Sequence, residues 1–302
     1  MKSYFNNRLI YYTDTNIVYY TDFYKKYKFF TNLNGFKLLL QIYKYIKKML
    51  QLNLNIIKSK KLNKNKILKE GELIYNNKIN LKKKKIGTWS IEEYKHFGLM
   101  YFYIKIKSFQ RFTENWSILE KGNKLQPSIF EELKNKNTSI NIASIGGGPG
   151  FELLAFKYFF NFHKNYNNIK LNFYNFDLVD EWEKYYKLLG NDFNFIKGNF
   201  FELILLNKKM DYIFFSNVFA TYLNNIDGYK KIINLLNNCK AIFINDRNKK
   251  LNVFKEYLNN HNINMIEILG SHDHRQIIIS KQKFNINFNN LNSIFPNVPY
   301  TN

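Results

Sequence analysis

The chain has 302 residues, 45% of them hydrophobic, which is enough apolar material for one full α/β domain plus an N-terminal extension. Its 46 Lys and Arg outnumber 23 Asp and Glu to give a formal net charge of +23, a balance that suits a polyanionic partner. A single cysteine, Cys239, excludes an intrachain disulfide and fits a reducing compartment, and no 18-residue window is apolar and uncharged. A soluble intracellular protein without a transmembrane segment is expected, cytoplasmic first, with organelle or nucleus as alternatives.

The charge is concentrated at the start of the chain. Residues 1–90 hold 20 Lys and Arg against 4 Asp and Glu. Aromatics such as Tyr11, Tyr12, Tyr19, Tyr20, Phe29 and Phe30 are interleaved with them. Lysines neutralise phosphates while rings stack on bases, so RNA is the partner this basic extension over 1–88 suggests. The competing explanation is A/T-rich codon bias, which favours Lys, Asn, Ile, Tyr and Phe throughout. A transit peptide fits less well, because Asn and Tyr dominate where Arg and Ser are expected.

Within the extension, residues 35–50 have apolar side chains at helical spacing with lysines opposite, which predicts an amphipathic helix. The run Lys82 to Lys85 reads as a solvated linker. The segment 89–112 predicts one long helix, opened by an N-cap at Ser90 with Glu93 three residues later, the spacing of a capping box. Residues 89–124 then form a helical cap or connector.

Residues 141–150, NIASIGGGPG, run from an apolar strand into Gly146, Gly147, Gly148 and Gly150, and FELLAFKYFF continues as a helix. Glycine accepts positive φ and carries no side chain, so a ligand can lie against bare backbone. The dinucleotide fingerprint G-x-G-x-x-G would need glycine at Phe151, so that reading fails on spacing. The pattern G-x-G-x-G instead resembles motif I of class I S-adenosylmethionine-dependent methyltransferases. The resemblance covers about residues 125–284 and implies S-adenosylmethionine as cofactor and methyl transfer as reaction. One departure stands out: the family often has an acid two residues before the first glycine, where it fixes the cofactor's amino group, and here that position is Ser144.

A second strand, 171–177, ends at Asp177, about one βαβ unit after the glycines. A carboxylate offers two acceptor oxygens, enough for both ribose hydroxyls. The resemblance gives Asp177 that role and lays Leu178 against the adenine; Asp180 and Glu181 are explained by N-capping of the next helix. A third strand, 193–200, ends at Asn199 and Phe200, and in the family an acid or amide here bonds the adenine edge. The alternative for Asn199 is an ordinary Gly-Asn turn.

The fourth strand, from Asp211, finishes near Ser216 and Asn217, where the resemblance places methyl donor and acceptor. The sequence there is SNVF rather than [DN]-P-P-[YFW], which disfavours methylation of a base N6-amino group. A fifth strand, 240–247, ends in Asp246 and Arg247. Two further candidates, 264–270 and 274–284, flank Ser271 to Arg275, where a hairpin connection competes with a catalytic or metal role for His272 and His274. Asp246 and His272 are the candidate general bases, and no metal is expected.

Alternating strands and helices predict a seven-stranded, mostly parallel, doubly wound sheet, the last strand antiparallel, followed by a tail over 285–302. Helices that precede motif I in such enzymes cover the cofactor pocket or shape the acceptor site, which makes His96, Tyr101 and Tyr103 candidates to face a ligand, with core packing as the alternative. Three functions compete: an RNA methyltransferase, a methyltransferase acting on a small molecule or protein, and a non-catalytic nucleic-acid or assembly module that keeps the fold.

Overall fold

A computed structural model describes residues 11–12, 18–22, 25–30, 33–77, 88–134, 139–162, 169–203, 209–246, 248–267 and 276–281. The linker at Lys82 to Lys85, His272 and the tail over 285–302 lie outside these residues. Strands β1 (Tyr11–Tyr12), β2 (Val18–Asp22) and β3 (Lys25–Phe30) form a small antiparallel sheet.

Helix α1 (Leu33–Ser59) continues the predicted amphipathic segment by nine residues at its C-terminal end. Leu38, Ile42, Ile46, Met49, Asn53 and Ile56 recur every three or four residues and are buried, which gives the helix one face toward the core. Helix α2 (Lys64–Asn76) begins at Asn63, whose side chain accepts from the Lys66 N–H at 3.1 Å.

The segment after Trp89 departs from the single helix expected. Ser90 and Glu93 do form the capping box, with reciprocal bonds of 3.1 and 2.7 Å. The helix they open, α3 (Ile91–Tyr94), lasts one turn, because His96 takes extended backbone and caps a new helix, α4 (Phe97–Leu125). The break allows α4 to cross α2 at Gly98 and Gly71, where a Cβ on either residue would overlap the other's backbone.

The central sheet is built from β4 (Ser139–Ile145), β5 (Lys170–Asp177), β6 (Phe193–Lys197), β7 (Tyr212–Ser216), β8 (Ala241–Asn245), β9 (Asn264–Glu267) and β10 (Gln276–Ser280). Their order is β6-β5-β4-β7-β8-β10-β9, parallel except for β10, which pairs antiparallel with both neighbours. This is the seven-stranded, mostly parallel sheet with an antiparallel last strand that was expected. The connecting helices are α5 (Phe151–Phe162), α6 (Glu183–Tyr186), α7 (Phe200–Leu203), α8 (Ile226–Leu235) and α9 (Asn248–Asn260).

Period-two alternation sorts the strand residues onto two cores. Ile142, Phe173, Tyr212, Phe214 and Phe243 point to the side covered by α1, α4 and α5. Ile145, Phe176, Ile213, Phe215 and Ile244 point to the side covered by α8 and α9. The N-terminal helices therefore share a core with one face of the sheet, and α4 reaches the edge where β7 and β8 end.

Candidate functional site

Strand β4 ends at Ile145, and the glycine turn follows at the point where the strand order reverses. Open α/β sheets bind ligands at this position. The turn is fixed by backbone bonds: the Gly146 N–H donates to Phe176 O at 2.7 Å and the Gly150 N–H to Gly147 O at 2.9 Å. Gly146, Gly148 and Gly150 have φ of +62°, +50° and +80°, conformations that favour glycine.

The glycines face two ways. Gly146 and Gly148 line a cavity of about 300 Å³. Gly147 turns inward against Ser144 Oγ and Asn175 Oδ1, and Gly150 presses on the Tyr186 ring. Ser144, at the position where the family has an acid, is therefore buried beneath the turn, and its Oγ has no partner among the described residues. The Asn175 Nδ2 donates to Gly148 O at 2.7 Å, tying the turn to β5 from below.

Asp177 closes the arrangement from the tip of β5. Its Oδ2 accepts from the Gly148 N–H and its Oδ1 from the Val179 N–H, each at 2.9 Å. A carboxylate has about four acceptor positions, so these two bonds do not exhaust Asp177, which also lines the cavity. Burial pushes its carboxyl up to about 6, opposed by the N–H groups of Val179, Gly148 and Leu178.

Beside it stand Leu178, nearly half exposed, with Asn199 and Phe200. Asn199 also makes a local turn, its Oδ1 accepting from the Phe201 N–H at 3.1 Å. Ser216 and Asn217 complete the sheet side. Asn217 has φ of +61°, rare for a residue with a side chain, and its N–H is held by Asn245 O at 2.7 Å. A π-helical turn over Phe219–Leu223 follows, carrying the half-exposed Tyr222 to the cavity mouth.

Asp246, the candidate base at the end of β8, is buried, and its Oδ2 accepts from the Ala220 N–H at 2.8 Å. It thus braces the π turn and does not line the cavity. Among the described residues no group of His, Cys, Asp and Glu is placed to hold a metal ion, and no described helix is long and apolar enough to cross a membrane.

The opposite wall comes from the segment before the sheet together with the loop after β5. Trp89, Tyr94, Tyr103 and Trp182 pack as a chain of rings with centroids 5.6 to 6.1 Å apart. Tyr103 thus faces the cavity, while His96 caps α4 and Tyr101 packs edge-on against Phe102. Beyond the rings, Arg111, Glu114 and Asn115 share one face of α4 and lie across the strand ends. Glu114 Oε2 accepts from Arg111 Nη1 at 3.1 Å and Asn245 Nδ2 at 3.0 Å. Its backbone carbonyl accepts from Gln276 Nε2 at 2.7 Å, and Asn115 Oδ1 accepts from Ser216 Oγ at 3.1 Å. Arg111 Nε donates to Tyr103 O–H at 3.5 Å.

Behind this wall sits Glu152, in the first turn of α5 and 2% exposed. Burial pushes its carboxyl up to about 7, against the opposing pull of Arg111. Arg111, Glu114 and Asn115 are not among the residues expected at the site from sequence. A signal was available: the chain has only four arginines among its 46 basic residues, and one of them interrupts an apolar helix three residues before a glutamate.

No protein-family model matches the sequence, and no curated protein sequence matches it. Solved structures do. The plantazolicin methyltransferase BpumL in complex with SAH is 13% identical, with a TM-score of 0.45 over 70% of this chain and all of that one. MNMC2 from Aquifex aeolicus is 14% identical, covering 74% of this chain and 89% of its own, with a TM-score of 0.37. M. capricolum TrmK in complex with S-adenosyl-homocysteine is 16% identical over 54% and 73%, with a TM-score of 0.30. Likenesses this distant supply no residue-by-residue correspondence, so the chemistry has to come from the side chains themselves.

Proposed function

We propose that this cavity holds S-adenosylmethionine and that the protein transfers its methyl group to an acceptor bound at the mouth. One observation carries the reading: the acid at the tip of β5 is bonded to the glycine turn, and both line the same cavity. The fit is supported by the shape of the turn. Gly146 and Gly148 offer bare peptide to a flat, uncharged adenosyl group, and a Cβ at Gly146 would press on Val218 and narrow that face. In this reading Asp177 takes the ribose hydroxyls on its remaining acceptor positions, Leu178 and Phe200 hold the adenine, and Asn199 meets its edge. Gly147 and Gly150 act from behind, setting the turn's path, and Ser216 and Asn217 line the end where the reacting atoms lie.

The bound cofactor would supply a sulfonium methyl for in-line displacement, leaving the thioether. The protein's share is positioning. The ring wall excludes water, Tyr222 and Leu178 give the acceptor an apolar approach, and Asp246 holds the turn that carries Tyr222. Of the two candidate bases, His272 is the group proposed to take the acceptor's proton where it has one, and Asp246, buried against the π turn, is given the bracing role. An RNA acceptor has one observation in its favour: Lys58, Lys60, Lys61, Lys64, Lys66 and Lys69 are all exposed around the α1–α2 turn, with no acid between them. RNA affinity that falls steeply with salt would support that acceptor. Cofactor binding without RNA affinity would move the choice to a small molecule or protein.

Calorimetry with S-adenosylmethionine and S-adenosylhomocysteine tests the proposal. Both should bind, and Asp177→Ala should weaken both by about 1–3 kcal/mol. Folded protein that gives no binding heat at about 1 mM ligand would leave only a non-catalytic module with this fold.

A further inference from the structure

We infer that Arg111 is the anion site of the cavity and takes the carboxylate of the cofactor's amino-acid portion. The inference rests on the proposed function and goes beyond it, since neither the glycine turn nor Asp177 provides for that charged end.

Arg111 is 6% exposed, yet it lines the cavity. A guanidinium has five N–H donors in a rigid fork. Its Nε is used by the Tyr103 hydroxyl and its Nη1 by Glu114. The N–H groups of Nη2 have no partner among the described residues, and they do not belong to its buried unpaired atoms. They are the remaining donors of a side chain that lines the cavity. Such a pair of donors, on a guanidinium held by Glu114 and in contact with Tyr103, matches a carboxylate far better than a hydroxyl or an amide.

Position narrows the choice of anion. Arg111 lies one turn before Asn115, which holds Ser216 at the end of β7, and Tyr103 packs on Trp182, the ring beside Gly148. The guanidinium thus stands on the glycine-turn and β7 side of the cavity. The mouth, with Tyr222, Leu178 and Lys231, is where an acceptor would enter. An adenosyl group on Asp177 and Leu178 directs its other end toward Arg111. Glu114 also accepts from Gln110 Nε2 at 2.7 Å and from Asn245, so it is shared among donors, and Glu152 is the other carboxyl that acts on the guanidinium.

The test compares S-adenosylmethionine with its decarboxylated form, which keeps the sulfonium, the ribose and the amine and lacks only the carboxylate. The intact protein should bind S-adenosylmethionine about ten- to hundredfold more tightly, the range of one charge-assisted contact. Arg111→Met should bring that ratio close to one, whatever it does to overall affinity. Because both ligands are measured on one protein, a general loss of stability cancels. Arg111→Lys, which keeps a cation against Glu114, serves if Arg111→Met does not fold, and should lower the ratio by about tenfold. A ratio near one in the unaltered protein, or a ratio that survives either substitution, overturns the inference while cofactor binding stands. Folded protein that binds neither ligand removes the proposed function instead.

Discussion

The two walls of the cavity are made by different means. The sheet wall is mostly backbone and side chains at strand ends: four strand ends, a glycine turn, and one carboxylate that grips the turn it faces. The cap wall is long side chains from α3, α4 and the loop after β5, rings and a guanidinium, held by contacts between residues far apart in sequence. Asn53 on α1 donates to the Tyr185 hydroxyl at 2.7 Å, and Gln276 on β10 reaches the α4 backbone. The sheet wall depends on local conformation, which a few residues set. The cap wall depends on helices arriving at one place, which the whole fold sets.

Disrupting helix placement should therefore do the greatest damage. Gly98→Ala puts a Cβ into the backbone of Gly71 and Ile67, where nothing flexible can give way. A loss of about 3 kcal/mol or more in chemical denaturation is expected, with cofactor affinity reduced further as the ring wall shifts. Unchanged stability would mean that α2 is not locked to α4.

Glu152→Gln sharpens the electrostatic side of the comparison. The folded carboxyl titrates near 7, above its ordinary value of 4.5, so the folded state binds this proton more readily than the unfolded chain does. Its burial cost is fully present above about pH 7 and is relieved as pH falls toward 4.5. The neutral variant should be more stable than the parent at pH 8, on the order of 1–3 kcal/mol, and the gain should vanish near pH 4.5. An equal or lower stability at pH 8 would show that Arg111 needs this charge.

The sheet wall has its own pH signature, of opposite sense for the ligand. In the proposed complex, ribose hydroxyls would donate to the charged form of Asp177, whose carboxyl is pushed up to about 6. Cofactor affinity should be constant above that pH and fall by up to tenfold for each unit below it. Asp177→Asn should abolish the slope, and a slope that persists would assign the titration to another group. The smallest effect belongs to the start of the cap: Ser90→Ala removes one cap bond at the mouth of α3 and should cost about 1 kcal/mol, read by thermal unfolding.

How much of this was legible follows the same division. The glycine turn, Asp177, Leu178 and Asn199 could be placed because strand, turn and carboxylate lie within one βαβ unit, where spacing along the chain fixes spacing in space. The two-way split of the glycines could not, since it depends on Tyr186 and Ser144 arriving from either side. The capping box at Ser90 and Glu93 was legible as well, but not its one-turn length, which His96 and the crossing at Gly98 impose.

The amino-acid sequence alone determined the alternating strands and helices, the turn with its positive-φ glycines and the acid one unit later, because each is a short-range property of backbone and side-chain period. Only the tertiary structure decided that Arg111, Glu114 and Asn115 lie across the strand ends, that Asp246 braces a π turn instead of facing the cavity, and that Ser144 is sealed beneath the glycines. Those outcomes turn on where a helix of 29 residues crosses a sheet, and no local pattern encodes a crossing.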